Sequence, residues 1–274
     1  SGKAGEKVSV SYDMFTGFKS IANTLDVLKP ADYAKWQYEY AVMNNDIPSF
    51  ENFLGTYDQI GQYENYPNTN WQKEIYGRTG AVQNHNLSIR GGSDKLSYNF
   101  NYVRYDEEAI MLGSNYKRDN ISLNLKSKPN DKFELSFTMR YSKTKITGGG
   151  ANEQKEFSST DSRLKHVIGY APIDIEGLTT DDTDEALAGY LVNPFVAVAD
   201  NDKLQERRNY NMLGGLTWKM TKGLQFKSDF GLDYYKYSDY RFYGRTTFYV
   251  NNIPAAENQG MLALIFSSRD DSRF

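Results

Sequence analysis

The most constraining feature of the sequence is a long segment in which apolar and polar residues alternate. Between 131 and 146, one parity is apolar and the other polar: Phe133, Leu135, Phe137, Met139 and Tyr141 against Glu134, Ser136, Thr138, Arg140 and Ser142. Successive side chains point to opposite faces of a β-strand, so this period predicts a strand with one apolar and one polar face. The segment is long, since strands in globular proteins average about 5–6 residues.

The same alternation recurs along the chain and predicts an all-β fold. Seven strands are predicted, near 6–17, 83–91, 95–106, 115–127, 131–146, 207–221 and 223–240. Their connections are alternately short turns, rich in Gly, Pro and Asn, and longer loops at 18–82, 107–114 and 147–206. Short turns at one end and long loops at the other are typical of an antiparallel up-and-down transmembrane β-barrel. A tilted strand crosses a bilayer with about 9–11 residues, and these strands are long enough.

Two of the long loops carry helix signals. Residues 31–44 predict an amphipathic helix, with Pro30 near its first turn, where a missing N–H costs nothing. A second short helix is predicted near 160–169. The glycines at 148–150 predict a flexible loop tip.

Composition agrees with a membrane-facing sheet and excludes other classes of protein. The 274 residues include 22 Tyr, 15 Phe and 3 Trp, and Leu, Ile and Val are too few for a large soluble core. The absence of cysteine excludes zinc fingers and disulfide scaffolds, and a formal charge of −3 argues against nucleic acid as a partner. No stretch reaches the roughly 18 apolar residues of a membrane-spanning helix. The opening residues 1–5 lack the features of a signal peptide.

The sequence offers no catalytic, cofactor or metal site. His85 and His166 are predicted to be surface or lumen histidines, and the acidic run 181–185 a solvated loop. The paired carboxylates Glu107 and Glu108 fall in a predicted loop, and no nucleophile motif of a hydrolase is present. The chain is therefore predicted not to be an enzyme, and no substrate-binding residue is assigned.

The long loops are rich in aromatic side chains, and these leave two readings open. The residues concerned are Trp36, Tyr38, Tyr63, Tyr66, Trp71 and Tyr76. They can stack on sugar rings or grip a peptide, or they can serve loop packing and an interfacial aromatic belt.

The predicted sheet cannot close on itself. Seven strands leave two open edges, and unpaired edge groups cannot face hydrocarbon, so further strands must complete the barrel. The last residues, 270–273, lack apolar alternation. No strand is predicted there, although Phe274 is aromatic like the last residue of many bacterial barrels.

Several short motifs, in their order, resemble SusC/RagA-like TonB-dependent transporters of the Bacteroidetes outer membrane. The motifs are 2–5 (GKAG), 25–28 (LDVL), 70–72 (NWQ), 84–92 (NHNLSIRGG), 98–102 (YNFNY), 116–118 (YKR) and 193–194 (NP). The resemblance implies a barrel of about 22 strands with a plugged lumen. Residues 1–5 would then be the junction from the plug, and 6–274 roughly the first third of the barrel.

The resemblance also implies a function and partners. Such transporters import oligosaccharides or oligopeptides with a SusD-like surface lipoprotein, draw energy from the TonB complex through the plug, and often form dimers of transporter–lipoprotein pairs. The resemblance implies that the remaining barrel strands and outer-membrane lipid surround the chain. It also implies that loops 18–82 and 147–206 contact the lipoprotein or the ligand. A polar wall would line the lumen: Asn99, Asn101, Ser122, Asn124, Glu134, Ser136, Thr138 and Arg140. Phe133, Leu135, Phe137 and Met139 would face lipid.

Two other functions remain open from the residues alone. The first is a soluble β-rich module that binds glycans through its loop aromatics. The second is a surface enzyme such as a glycosidase, which needs two carboxylates facing one cleft.

Overall fold

The fold is a single antiparallel sheet with short helices in its connections. The computed structural model describes residues 7–148, 163–173, 193–244 and 263–273. Each strand of the eight-stranded sheet pairs with the next in the chain. The strands are β1 (Ser9–Lys19), β2 (Gly80–Ser93), β3 (Leu96–Glu108), β4 (Asn115–Asn130), β5 (Phe133–Thr147), β6 (Asn201–Thr221), β7 (Leu224–Tyr243) and β8 (Ala263–Arg273). The predicted all-β, up-and-down topology is confirmed.

The predicted number of seven strands is wrong, because the chain forms an eighth. β8 pairs with β7 from Ala263, opposite Tyr243, to Arg273, opposite Asp233. Residues 263–266 form a continuous apolar run and residues 267–273 are all polar, so the apolar alternation that marks the other strands is missing from β8. β3 also continues through Glu107 and Glu108, which are therefore not in a loop.

The two ends of the strands differ in the length of their connections. Turns at 94–95, 131–132 and 222–223 join the strands at one end. Gly223 in the last of these has a φ of 89°, a left-handed conformation that favours glycine. At the other end the connections run over 20–79, 109–114, 148–200 and 244–262. The predicted segregation of short and long connections is confirmed.

Helices occupy the long connections. They are α1 (Pro30–Met43), α2 (Ile47–Leu54), a 3-10 helix (Tyr57–Asn65), α3 (Trp71–Tyr76), α4 (Arg163–Gly169) and α5 (Pro194–Ala199). α1 confirms the helix predicted over 31–44, and α4 the described part of that predicted near 160–169. The others are short, and Asn70 and Asn193 cap α3 and α5 by accepting a backbone N–H. No described helix has the length and apolar character needed to cross a membrane.

Most fully buried apolar side chains lie in these connections. The first cluster, called here the loop core, comprises Tyr33, Ala34, Ala41, Phe50, Leu54, Ile60, Tyr63, Ala171 and Ile173. A second cluster, of Ile75, Tyr76, Met111 and Val167, joins α3 and α4 to the β3–β4 connection. The Leu112 N–H donates to the Ile75 carbonyl at 2.8 Å, which ties the helices to this end of the sheet. The junction 1–5, the acidic run 181–185 and Gly149–Gly150 lie outside the described residues.

Candidate functional site: two faces of the sheet and a loop pocket

The strand register collects the apolar residues on one side of the sheet, called here the apolar face. One cross-strand row contains Tyr12, Leu87, Tyr102, Ile121, Tyr141, Tyr210 and Tyr234. The next row toward the short turns contains Val10, Ile89, Phe100, Leu123, Met139, Met212 and Leu232. Phe133, Leu135, Phe137 and Met139 share this face, as predicted, because β5 alternates without a bulge.

The apolar face is uncovered in this chain. Tyr12 is 58% exposed, Leu135 45% and Phe230 64%. Water-soluble proteins rarely expose a contiguous apolar surface of this extent, because each exposed methylene group costs free energy. The face therefore requires an apolar environment.

Aromatic residues bound the apolar face at both ends. Toward the long connections the Tyr141 and Tyr210 rings lie 4.7 Å apart, and toward the short turns Phe133 stacks on Trp218 at 5.8 Å. From Tyr141 to Phe133 the strand rises about 26 Å at about 3.3 Å per residue, which a tilt of about 40° shortens to about 20 Å. This is close to the apolar band of about 25 Å on membrane barrels, whose borders are aromatic.

The opposite side, called here the polar face, carries the predicted wall residues. Asn99, Asn124 and Thr138 form one cross-strand row. Asn101, Ser122 and Arg140 form the next, and Glu134 and Ser136 continue along β5. The Thr138 hydroxyl donates to Asn124 Oδ1 at 3.1 Å, and Asn101 Nδ2 donates to Ser122 Oγ at 3.3 Å. All eight residues therefore share one face.

A groove of about 450 Å³ runs across the middle of the polar face. Most of its lining residues, which come from β3 to β7, are polar, among them Asn101, Asn120, Arg140, Asn209, Asn211 and Asp233. Arg140, Asn211 and Asp233 occupy one row, so a cation and a carboxylate flank an amide. Amide side chains both donate and accept hydrogen bonds, which suits either peptide groups or sugar hydroxyls.

The wall residues predicted from the sequence do not include several residues of this groove. The omitted residues lie on the polar face of β4, β6 and β7: Asn120, Asn209, Asn211 and Asp233. For β6 and β7, the prediction named only the apolar residues of each strand. Extending the alternation to the other parity identifies these residues.

Toward the long connections, carboxylates on the polar face form ion pairs and hydrogen bonds with neighbouring side chains. Lys19 Nζ lies 2.6 Å from Glu107 Oε1, and the Tyr105 hydroxyl donates to the other oxygen of Glu107. Asp239 is buried and accepts from the Tyr237 hydroxyl at 2.8 Å. Such networks stiffen the wall, and Glu107 is thus held in one rather than free in an acid–base pair.

A second cavity of about 450 Å³ lies among the loop helices and is called here the loop pocket. Its lining includes Trp36, Trp71, Tyr33, Tyr170 and Val27. Trp71 Nε1 donates to the Ala171 carbonyl at 2.7 Å, which fixes the indole. Burial raises the pKa of Tyr33, whose hydroxyl accepts from Gln37 Nε2 at 2.8 Å, so this phenol stays neutral.

The loop aromatics divide between the two roles left open by the sequence. Tyr63 and Tyr76 are buried in the two apolar clusters. Tyr38 packs against Phe50, with ring centroids 5.4 Å apart. Packing therefore explains these three. Trp71 lines the loop pocket but also packs against the second cluster, whereas Trp36 lines the pocket and is half exposed, so it is the one available to a ligand or partner.

The two histidines lie in different parts of the structure and in different environments. On the apolar face, His85 Nδ1 lies 2.6 Å from the Tyr12 hydroxyl. His166 is buried within α4, so its prediction as a surface or lumen histidine is wrong. Across the described ranges, no group of three or more His, Cys, Asp or Glu could hold a metal ion.

These features define the class of structure: an unclosed portion of a transmembrane β-barrel wall with helical loops at one end. Solved structures agree. The RagAB peptide importer in its "open-open" state matches 99% of this chain and 32% of that chain, with a TM-score of 0.65 at 16% identity. Its "closed-closed" state matches 90% of this chain and 30% of that chain, with a TM-score of 0.60 at 15% identity.

Sequence relatives point in the same direction. TonB-dependent receptor P3 of Formosa agariphila is 22% identical over 84% of this chain and 21% of its own length. TonB-dependent receptor SusC of Bacteroides thetaiotaomicron is 31% identical over 55% of this chain and 14% of its own length. No protein-family profile matches the chain.

The predicted resemblance to SusC/RagA-like TonB-dependent transporters is confirmed by these comparisons, and so is the predicted outer-membrane location. The chain spans about a fifth or less of the length of the curated relatives that it matches.

Proposed function

We propose that this chain is the N-terminal part of the barrel of a TonB-dependent outer-membrane importer of bulky nutrients. The observation that carries the proposal is the pairing of an exposed apolar face, bounded by aromatics, with a polar face on the same strands. Acyl chains cover the first, and the second lines an aqueous lumen through which a hydrophilic ligand passes. The whole barrel has about 22 strands, which is wide enough to hold a plug.

The plug fills the lumen at rest and moves when TonB transmits energy to it. Two exposed apolar side chains on the polar face, Phe15 and Leu213, support this arrangement. Apolar side chains are out of place on a wetted wall, and a plug packed against them removes them from water. Residues 1–5 form the junction from that plug.

The helical connections form the extracellular layer that meets the ligand and a SusD-like lipoprotein. On α1, Trp36, Tyr40 and Met43 are exposed, and the first two stack with centroids 5.8 Å apart. Exposed aromatic and methionine side chains are typical of protein interfaces. Two such transporter–lipoprotein pairs associate as a dimer.

The substrates are oligosaccharides or oligopeptides. RagAB is a peptide importer, and the amide-rich groove around Arg140 and Asp233 offers hydrogen bonds to either class. A soluble glycan-binding module is disfavoured because it leaves the apolar face in water. A surface glycosidase finds no support in the Glu107–Glu108 pair, since Glu107 is held by Lys19 and Tyr105.

The function is tested by deleting the gene that encodes this chain and measuring uptake of labelled oligosaccharide and oligopeptide mixtures by the cells. We expect loss of uptake of one of the two classes, restored by the intact gene and abolished again when TonB is removed. A transporter reaches saturation, so the restored uptake has a finite maximum rate. Uptake of both mixtures that is unchanged in the deletion strain contradicts the proposal.

A further inference from the structure

A belt of charged residues crosses the apolar face directly beyond the tyrosine row, on the side of the long connections. The first row of this belt contains Arg104, Asp119, Lys143, Arg208, Lys236 and Asp270. The second contains Asp106, Lys117, Lys145 and Glu206. The change from apolar to charged residues is abrupt, since it occurs within one step of the alternation on each of these strands.

The carboxylates of this belt already have basic partners. Asp119 lies 3.7 Å from Arg104, and Asp106 lies 3.0 Å from Lys117. Glu206 lies 3.1 Å from Arg208, and Asp270 lies 3.8 Å from Lys236. Asp119 and Glu206 lie directly across the strands from Lys143 and Lys145, but their ion pairs are with Arg104 and Arg208. In the part of the chain that the structure describes, neither lysine forms an ion pair with a carboxylate.

These two lysines are adjacent positions on the same face of β5. Residues two apart on a strand lie about 6.6 Å apart, so two ammonium groups on flexible stems can converge on one anion. Lys143 follows Tyr141 on that face, and Tyr141 packs against Tyr210. Lysine stems can lie along such aromatic surfaces while their ammonium groups reach the polar boundary.

We propose that Lys143 and Lys145 bind the phosphate group of an outer-leaflet membrane lipid. This inference rests on the proposed function, since it requires the apolar face to meet lipid. The tyrosine row marks the interface between acyl chains and headgroups, so the lysines lie at the depth where lipid phosphates occur. The apolar rows just below, with Met139 and Leu123, contact the acyl chains of the same lipid. That continuity favours a lipid over a free anion, which has no use for an apolar surface.

The test uses the full-length transporter that carries this chain, purified in a neutral detergent. Phosphatidic acid and phosphatidylcholine are added in equal amounts, and the bound lipid is counted by native mass spectrometry. We expect a preference for phosphatidic acid that falls about 25-fold in the double variant Lys143→Gln/Lys145→Gln, from roughly fivefold for each lysine. The matched control is Lys126→Gln/Lys227→Gln, which removes two lysines from the polar face of β4 and β7. It should leave the lipid preference unchanged.

The outcomes separate this inference from the proposed function. An equal preference in wild type and Lys143→Gln/Lys145→Gln overturns the phosphate site. So does binding of inorganic phosphate alone, measured by calorimetry, without preference for the phosphate-bearing lipid. A brominated-lipid probe that quenches a tryptophan placed at Met139 reports lipid contact independently. Quenching at this position without an effect of the lysine substitutions supports the barrel and contradicts only the phosphate site. Absence of quenching contradicts both proposals.

Discussion

Replacing Leu125 by arginine is expected to destabilise the folded barrel by about 2–4 kcal/mol, the cost of a charged side chain near the middle of the lipid-facing band. Leu125 lies between Tyr98 and Phe137 on the apolar face, midway between the row of Tyr141 and that of Phe133. An arginine there must either leave water or bend toward the interface. The measurement is the free energy of unfolding of the full-length protein in lipid vesicles, from a urea titration.

The matched control is Asn124→Arg, which introduces the same side chain one residue away on the polar face. It removes the hydrogen bond from Thr138, worth about 1 kcal/mol, but its charge stays in the aqueous lumen. We expect the control to cost about 1 kcal/mol or less. Equal destabilisation by the two variants would contradict the assignment of the faces.

Replacing Phe50 by alanine is expected to unfold the loop core while the sheet survives. Phe50 is fully buried among the residues of the loop core, and Phe→Ala substitutions in such sites cost about 3–5 kcal/mol. This cluster is small and contains few large aliphatic side chains, so that loss is a large part of its stability. Hydrogen exchange should rise throughout α1, α2 and the 3-10 helix and stay slow in β3–β6.

Met43→Ala is the control for this variant, because Met43 lies at the end of α1 and is 83% exposed. Its exchange profile should match that of the wild type, since exposed substitutions usually change stability by no more than about 0.5 kcal/mol. Fast exchange that spreads into β3–β6 in Phe50→Ala would mean that the helices and sheet unfold as one unit.

The sheet was largely predictable because its environment imposes a simple rule on each residue. β5 alternates over its whole length, so both its faces could be assigned from Phe133 to Tyr141 before any pairing was known. β8 could not be found in this way. Its first four residues are all apolar and its last seven are all polar, so neither part shows a contrast between the two parities.

The loop region was harder to predict for a different reason. α1 is long and begins at a proline, which marks it in the sequence. α2, α3 and the 3-10 helix have 8, 6 and 9 residues, too few for a clear helical period. Their positions depend on long-range contacts, such as that of Trp71 with Ala171, which no local pattern reveals.

The groove on the polar face was predictable in kind but not in detail. Alternation identifies Arg140 and Asn101 as wall residues, whereas their proximity to Asp233 depends on the register of β5–β7. Register depends on the patterns of both paired strands and on the turn that joins them, so a single strand does not encode it.

The central claim is that the residues of each strand alternate between contact with lipid acyl chains and contact with water. It is tested most directly by spin labels on single cysteines at Leu135 and Ser136, since the chain contains no other cysteine. Collisions with oxygen, which concentrates in lipid, and with a water-soluble nickel chelate are measured in bilayers. We predict high oxygen and low nickel accessibility at 135 and the reverse at 136. Equal nickel accessibility at both positions would contradict the account.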